Sequence, residues 1–359
     1  MKEILFRPIQ LGDIRLANRI IMAPMTRDRA GPGDVPTDLM IEYYVQRASA
    51  GLIITEGVQP SPAGKGYWRT PGIHSAAQIE GWSKVADAVH ARGGRIVMQL
   101  MHCGRVVVPA NRRYEADVIA PSAIACPVPV PGPDGTPVPC ADPRAIDAAE
   151  IPALIEEYAQ AARNAVAAGM DGVELHCASG YLINQFLNPA SNRRADDYGG
   201  PVANRIRFPV AVLSALAEAV GPGRVGFRIS PGNPYNGMDP VDPAATFVPF
   251  LKAASTLGLA YCHVVDLGLA GLDTLAMVRT HFAGPVIANN NLKPDSAAAL
   301  LADGRAEAVS FGRAFIANPD LVERIATGAP LAKPDYSLLY TGEERGYTDY
   351  PAITAGEPA

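Results

Sequence analysis

Short apolar runs rich in β-branched residues alternate with longer helical patterns along almost the whole chain. The eight runs lie near residues 19–23, 52–55, 95–100, 172–176, 225–229, 261–265, 285–288 and 308–311. The segments between them repeat apolar residues at helical spacing, and several end in glycine, as helices commonly do. Strands that each lead into a helix in this way predict an α/β protein with a closed parallel (β/α)8 barrel, the TIM barrel, rather than an open doubly wound sheet.

Two segments lie outside this alternation. The residues before the first barrel strand are expected to form an N-terminal hairpin. A stretch rich in Pro and Gly follows the third strand, from about Cys103 to Asp147, and predicts a lid inserted at 103–147. No Gly-x-Gly-x-x-Gly follows the first strand, which argues against a Rossmann domain. Because no flexible linker divides the chain, residues 1–359 are expected to form a single domain.

Charge and hydropathy exclude several classes of partner. The formal net charge is −5 and no long run of like charge occurs, so neither nucleic acid nor a membrane surface is expected as a partner. The N-terminus is too charged for a signal peptide, and no apolar run reaches the roughly 18 residues of a membrane span. The five scattered cysteines favour a reduced, cytoplasmic chain. Cys126 and Cys140 flank the Pro/Gly-rich stretch, but a disulfide between them is not expected in that compartment.

The polar residues that end the strands are the candidates for an active site, because TIM barrels carry their active sites there. They are Thr26, Glu56, Gln99 with nearby His102, His176, Arg228, Asn289 to Asn291, and Arg313. This set contains almost no carboxylates. A metal hydrolase on this fold would need clustered His and Asp ligands, and the six histidines are dispersed. No metal is therefore expected.

The loops after the seventh and eighth strands are the usual phosphate site of this architecture. Backbone N–H groups around Asn290 and Asn291, together with Gly312 and Arg313, could hold a terminal phosphate. By spacing alone, a turn and a surface arginine explain the same residues equally well.

Several segments resemble the Old Yellow Enzyme family, over nearly the whole chain. The most specific are NRIIMAPMTR, YYVQRASAGLIITEG, APSAI, AAGMDGVELH, DDYGGPVANR and SFGRAFIANPDL. The resemblance implies an FMN group and a reductant that is NADPH or NADH. It also implies these flavin contacts: Ala23, Pro24, Met25 and Gly57 along the ring, Thr26 at the C4 carbonyl, Gln99 at the pyrimidine edge, Arg228 near N1 and O2, and Arg313 at the phosphate. A fixed cation near N1 would stabilise the negative charge that grows on reduction.

The segment from His176 to Tyr181 is similar to the family's substrate motif, His-x-x-Asn(or His)-x-Tyr. The resemblance implies that His176 and Ser179 donate hydrogen bonds to the carbonyl or nitro oxygen of an activated alkene. Hydride then moves from flavin N5 to the β-carbon, and Tyr181 protonates the α-carbon. A phenol suits that role because it stays protonated at neutral pH. Tyr67, Tyr347 and Tyr350 are expected over the mouth of the pocket, by the same resemblance.

Three positions depart from the family pattern. Ser179 stands where Asn or His is usual, and its side chain is shorter. Either His176 anchors the substrate alone, a bulkier substrate sits lower, or water bridges the gap; the alternative is that Ser179 is a tolerated variant with weaker activity on simple enones. Met101 stands where many relatives have tryptophan, which either softens the region beside the flavin or merely repacks it. The run from Asn289 to Asn291 replaces small residues and glycine, and a left-handed backbone there is less favourable for Asn than for Gly.

The main function expected is therefore NAD(P)H-dependent reduction of α,β-unsaturated carbonyl or nitro compounds. One alternative is an FMN-dependent desaturase or isomerase of a specialised biosynthetic substrate. Another is a flavin-binding or ligand-binding barrel with little catalysis. The sequence leaves the choice between NADPH and NADH open, and equally the choice between monomer and homodimer. Cys103 and Cys177 are not expected to act as nucleophiles, because neither lies beside a base in sequence.

Overall fold

The computed structural model describes residues 2–269 and 271–353, and eight of its strands close into a parallel barrel. This confirms the fold expected from the sequence. The barrel strands are β3 (Ile20–Met22), β4 (Leu52–Val58), β5 (Ile96–Leu100), β10 (Gly172–Cys177), β11 (Val225–Ile229), β12 (Tyr261–Val265), β13 (Val286–Asn289) and β14 (Ala308–Phe311). Neighbours in the chain pair in order, and β14 closes the barrel on β3.

Helices cover the outside of the barrel. They are α1 (Asp38–Gln46), α2 (Ala76–Ala91), α3 (Ile151–Ala167), α4 (Leu182–Leu187), α5 (Val202–Arg205), α6 (Arg207–Val220), α7 (Pro243–Ser255), α8 (Thr274–His281), α9 (Pro294–Ala302), α10 (Arg313–Ala317) and α11 (Leu321–Thr327). Local chemistry fixes several of their ends. Ser75 and Gln78 form a capping box at α2, and the carboxylate of Asp273 caps α8. None of the helices among the described residues is both long and apolar enough to cross a membrane.

The second barrel strand is longer than the sequence predicts. The apolar run ends at Thr55, but β4 continues to Val58, with a register shift between Ile54 and Gly57. Buried partners hold this irregular end: the Glu56 N–H donates to the hydroxyl of Tyr44 at 3.0 Å. A polar residue and a glycine weaken the strand signal in the sequence, so this extension was not predictable from pattern alone.

The N-terminal hairpin closes one end of the barrel. Its strands β1 (Ile9–Leu11) and β2 (Ile14–Leu16) pack Leu11, Ile14 and Leu16 against side chains of the barrel strands. Gly12 turns the hairpin at a φ of +56°, and a Cβ there would lie 2.2 Å from the carbonyl oxygen of Gly223. With this end sealed, the C-terminal ends of the strands remain available for a site.

The inserted segment forms two small strand pairs. β6 (Ile119–Ala120) pairs with β9 (Arg144–Ala145), and β7 (Val130–Pro131) forms a hairpin with β8 (Pro137–Val138). Arg112 anchors the insertion by donating to the carbonyl oxygens of Lys65 at 2.8 Å and Ala63 at 2.7 Å. Side chains of the insertion pack in one apolar cluster with Met101 and Tyr181. The insertion is thereby tied to the end of the barrel that carries the candidate site.

Candidate active site

Two neighbouring cavities open at the C-terminal ends of the strands. The first has a volume of about 360 Å³ and is lined by Ala23, Pro24, Met25, Arg228, Asn289, Asn291, Leu292, Ser310, Phe311, Gly312, Arg313 and Ala314. The second has a volume of about 430 Å³ and includes Thr26, Tyr67 and Tyr181 in its lining. Residues 23–26 therefore run from one cavity to the other. Their backbone is fixed at its start, where the Ala23 N–H donates to the carbonyl oxygen of Phe311 at 3.0 Å.

A buried polar network lies under the first cavity. Glu174 on β10 accepts a hydrogen bond from Gln99 Nε2 at 2.7 Å and lies 2.9 Å from His263 Nδ1. The other nitrogen of His263 lies 2.6 Å from Arg228 Nη1 and 2.8 Å from Ser310 Oγ. The network ties the predicted flavin contacts Gln99 and Arg228 to residues that the sequence analysis did not single out. In the sequence, these additional network residues stand out only as polar residues inside otherwise apolar strands.

The charges of this network are unequal. Burial, and then the Arg228 guanidinium, lower the pKa of His263 to about 4, so its ring is neutral and its Nδ1 proton is donated to Glu174. Burial opposes ionisation of Glu174, but His263, Arg228 and Gln99 together hold the pKa of that carboxyl below its usual range. Burial lowers the pKa of Arg228 to about 10, which leaves it charged at neutral pH. The negative charge of Glu174 thus balances the positive charge of Arg228, which faces the cavity.

The first cavity brings some of the predicted phosphate residues together, since Asn291, Gly312 and Arg313 all line it. Arg313 Nη2 donates to Asn291 Oδ1. Asn289 lines the cavity and accepts from Arg228 Nη2 at 3.0 Å, whereas Asn290 is not among the lining residues. Asn291 adopts a φ of +41°, which asparagine tolerates better than other residues with a Cβ. The replacement of glycine by Asn at this point is thus compatible with the backbone.

The first cavity suits a flavin mononucleotide. Two guanidinium groups line it, Arg228 and Arg313, and a flavin mononucleotide needs one cation at its polarised ring and another at its phosphate. Gly312 also lines the cavity without a side chain, and a Cβ there would come into contact with Met25, 3.4 Å from its Sδ. Gln99 Nε2 is already donated to Glu174, and Gly57 is packed so closely that a Cβ there would lie 2.6 Å from Met101 Sδ. The predicted ring contacts of these two residues remain predictions.

Tyr181 lines the second cavity and contacts His176, which is not itself among the lining residues of either cavity. Their rings are 5.0 Å apart at an angle of 81°, and the Tyr181 hydroxyl lies 3.0 Å from that of Tyr67. Burial, and then the Arg228 guanidinium, lower the pKa of His176 to about 3, so the imidazole is neutral. Its Nδ1 accepts the Ala178 N–H at 3.2 Å, which leaves the proton on Nε2. His176 is therefore a neutral hydrogen-bond donor.

The contacts of Ser179 differ from those of His176, because they involve its backbone. Its backbone N–H donates to Ser230 Oγ at 3.0 Å, and its carbonyl oxygen accepts from Asn236 Nδ2 at 2.9 Å. Its φ is +57°, a left-handed conformation in which asparagine is common and serine is not. Ser179 is not among the residues that line either of the two cavities. The backbone of the motif is thus preserved, while a second donor at this position stays a prediction.

The prediction for Tyr347 is wrong. Its side chain is fully buried, stacked on Tyr43 at 4.1 Å, with Arg27 and Arg29 against its ring. Tyr340, seven positions earlier, lines the second cavity instead. The two tyrosines lie in one polar segment whose sequence pattern gives no periodicity to tell the inner residue from the outer one. Tyr350 also serves the packing of this segment, because its hydroxyl accepts the Asp335 N–H at 2.8 Å.

Other residues of the second cavity were missed by the sequence analysis. They are Asp28, Trp68, Arg69, Tyr235, the hairpin residues 131–135 and the segment 340–343. They come from five separate stretches of chain, which only the fold brings together. The cavity therefore has a polar and aromatic wall, beside the apolar cluster that contains Met101 and Tyr181. His102 lies outside both cavities, is buried, and accepts the Gly104 N–H on Nδ1 at 3.0 Å, as expected of a structural histidine.

A closed barrel with a cradle for a flavin and an adjoining pocket with a donor and a phenol defines a flavin-dependent oxidoreductase. Comparison with known proteins agrees. The model of the NADH:flavin oxidoreductase / NADH oxidase family matches residues 4–332. The chain belongs to this family and is of the Old Yellow Enzyme type.

Individual relatives match over nearly their whole lengths. A probable flavin mononucleotide-dependent alkene reductase of Leishmania infantum is 40% identical, with 97% of each chain covered. A chanoclavine-I aldehyde reductase of Penicillium roqueforti is 42% identical, with 96% of this chain and 95% of the relative covered. The structure of morphinone reductase in complex with tetrahydroNAD superposes with a TM-score of 0.93 at 45% identity, covering 99% of both chains. The protein is accordingly an FMN-dependent, NAD(P)H-dependent reductase of activated C=C bonds.

Proposed function

We propose that His176 binds the carbonyl or nitro oxygen of the substrate and that Tyr181 delivers the proton to its α-carbon. The observation that carries this proposal is the contact between the two rings, 5.0 Å apart, which joins a neutral imidazole that keeps its Nε2 proton to a tyrosine in the lining of the second cavity. A donor of this kind, aimed at a developing oxyanion, is typically worth about 3 kcal/mol in the transition state. FMN, when bound, supplies hydride from N5 and is reduced again by NADPH or NADH.

Tyr181 is suited to donate its proton only when charge develops on the substrate. Burial raises the pKa of its phenol well above the usual value, while the hydrogen bond with Tyr67 lowers it in part. The phenol therefore keeps its proton at neutral pH and loses it to a strongly basic enolate carbon. We assign His176 as the main donor, because its neutral ring carries the proton on Nε2, whereas the hydrogen bonds of Ser179 are made by its backbone. Ser179 would then act mainly through its backbone.

Arg228 and Arg313 complete the proposal for the cofactor. Arg228 would stabilise the anionic reduced flavin, and Arg313 with Gly312, Asn291 and their backbone would hold the phosphate. The insertion at 103–147 would act as the lid of the single domain. The five cysteines are free thiols in the structure, which supports a reducing, cytoplasmic environment. The choice between monomer and homodimer stays open.

A two-step anaerobic experiment tests these roles. NADPH should bleach the oxidised flavin of the purified protein, and cyclohexenone should then restore its colour. Tyr181→Phe should bleach at the wild-type rate and recover about 10²–10⁴-fold more slowly, the usual contribution of a general acid. Tyr336→Phe, an exposed tyrosine, is the matched control and should leave both steps unchanged. Recovery of Tyr181→Phe at the wild-type rate would remove Tyr181 from the mechanism, and a wild-type protein that cyclohexenone never reoxidises would remove the whole proposal.

A further inference from the structure

The wall of the second cavity is aromatic and acidic. Five aromatic side chains line it: Tyr67, Trp68, Tyr181, Tyr235 and Tyr340. Three carboxylates also line it, Asp28, Asp134 and Glu343, against a single basic residue, Arg69. Carboxylates and aromatic faces share one preference, because both attract a cation. Neither is needed to hold the carbonyl end of an alkene, which His176 already serves.

Arg69 does not neutralise this wall as a whole. Its guanidinium is paired with Glu343, with Nη2 3.0 Å from Oε2, and its Nε donates to the carbonyl oxygen of Ala30 at 3.0 Å. Asp134 is engaged within the hairpin, where it accepts from the N–H of Thr136 at 3.0 Å and from its hydroxyl at 2.6 Å. Among the three carboxylates, only that of Asp28 has a buried oxygen without a hydrogen-bond partner among the described residues.

Asp28 has an unusual position. Its φ is +56°, and its Oδ1 is buried without a hydrogen-bond partner among the described residues. The two flanking arginines do not serve it, because both reach the C-terminal segment: Arg27 Nη2 donates to the carbonyl oxygen of Gly346 at 2.7 Å, and Arg29 Nη1 to that of Leu339 at 2.9 Å. A buried carboxyl without partners costs free energy unless a ligand compensates it.

The surroundings of Asp28 favour its protonated form when no ligand is bound. Burial, and then the nearby Glu56, raise the pKa of Asp28 well above its usual value, and Arg29, Arg69 and Lys65 offset only part of this. A cation placed against the carboxyl would reverse that balance, because an opposite charge favours the ionised form. Binding of a cation should therefore release a proton to the solvent.

We propose that the second cavity selects activated alkenes that carry a basic amine, and that Asp28 is the carboxylate that receives the ammonium group. This inference rests on the proposed function, since it concerns the same pocket. The ammonium would lie between Asp28 and the aromatic wall, while the carbonyl oxygen of the same substrate lies at His176. An anionic substituent at the same place would gain neither the ion pair with Asp28 nor the attraction of the aromatic faces, and would be disfavoured.

A matched pair of substrates tests the inference. One is 2-cyclohexenone with a 2-(dimethylamino)ethyl group at C4, and the other is its carbon isostere with a 3-methylbutyl group. The wild-type enzyme should show a kcat/KM about tenfold or more higher for the amine, as expected of a charge-assisted contact. In Asp28→Asn the kcat/KM values for the two substrates should become equal. Glu115→Gln removes the same charge from an exposed position on the insertion and should keep the ratio.

A binding measurement separates a direct role of Asp28 from a structural one. Calorimetric titration of the oxidised holoenzyme with the amine, in two buffers of different ionisation enthalpy, should reveal proton release for the wild type and none for Asp28→Asn. Binding of the isostere should release no proton from either the wild type or Asp28→Asn. Equal kcat/KM for the two substrates, or an unchanged ratio in Asp28→Asn, would overturn the inference while reduction of the isostere keeps the proposed function intact. Failure of the wild type to reduce either substrate would instead overturn the proposed function.

Discussion

The hydroxyl groups of Tyr67 and Tyr181 lie 3.0 Å apart, although the two residues are 114 positions apart in the chain. The contact stabilises the phenolate that Tyr181 would become on giving up its proton, and so lowers the pKa of Tyr181 relative to burial alone. Tyr67 is therefore a positioning residue for the proposed proton donor.

Substitution of Tyr67 should slow one half of the reaction only. In Tyr67→Phe the phenol of Tyr181 loses its partner and becomes a weaker acid, so flavin reoxidation by cyclohexenone should slow by about tenfold, a fraction of a typical general-acid contribution. Reduction by NADPH should be unaffected. Stopped-flow measurement of both half-reactions checks this, with Tyr235→Phe as a control that removes a hydroxyl from the same cavity. Equal slowing of both half-reactions would indicate a disturbed flavin site instead.

Asparagine in place of Ser179 should improve the enzyme in two ways. The backbone at this position has a φ of +57°, which Asn adopts more readily, so Ser179→Asn should raise the free energy of unfolding by up to about 1 kcal/mol. The longer amide should also reach the substrate oxygen beside His176, and kcat/KM for cyclohexenone should rise. Urea unfolding and steady-state kinetics measure the two effects.

Ser179→Ala is the companion variant, because it removes the hydroxyl and keeps the size small. Its kcat/KM should stay within about twofold of the wild type, since the interactions seen for Ser179 are made by its backbone. A loss of more than about tenfold would instead make the serine hydroxyl a substrate donor, as for other oxyanion-hole groups.

Three buried neutral histidines should make the protein sensitive to acid. Burial lowers the pKa of His102 and His176 to about 3 and that of His263 to about 4, so the unfolded chain binds more protons below its own histidine pKa of about 6.5. The free energy of unfolding should fall as the pH falls from about 6.5 to about 4. Glu56 opposes this, because burial raises its pKa to about 7 and the folded state therefore holds its proton more tightly.

Urea unfolding between about pH 7 and pH 4.5 measures this slope. His102→Asn keeps an acceptor for the Gly104 N–H and removes one titrating group outside both cavities. It should reduce the slope by up to about 1.4 kcal/mol per pH unit. His281→Asn, at the C-terminal end of α8, should leave the slope as in the wild type. A stability that rises on acidification would show that the carboxyl groups dominate.

The sequence pattern was sufficient to predict the barrel but not to predict all the residues that line its cavities. The eight strands and the ring of polar residues at their ends follow from periodicity, since each strand carries its own local signal. Asp28 and Tyr340 could not be found in this way, because their contact with the cavity depends on how two loops fold together. The mistake over Tyr347 has the same origin: Arg27 and Arg29 hold its ring inside a segment that looks like an exposed polar loop.

The network beneath the flavin cradle offers the sharpest test of the electrostatics. In Glu174→Gln the carboxylate that balances the charge of Arg228 through His263 is lost, so the site becomes more positive and the anionic reduced flavin is favoured. The midpoint potential of the bound FMN should rise by about 30 mV or more, which corresponds to about 1.4 kcal/mol for a two-electron couple. Ser310→Ala removes a hydrogen bond to His263 without a change of charge and should shift the potential far less. Spectroelectrochemical titration decides the matter, and an unchanged potential in Glu174→Gln would mean that Arg228 does not act on the flavin.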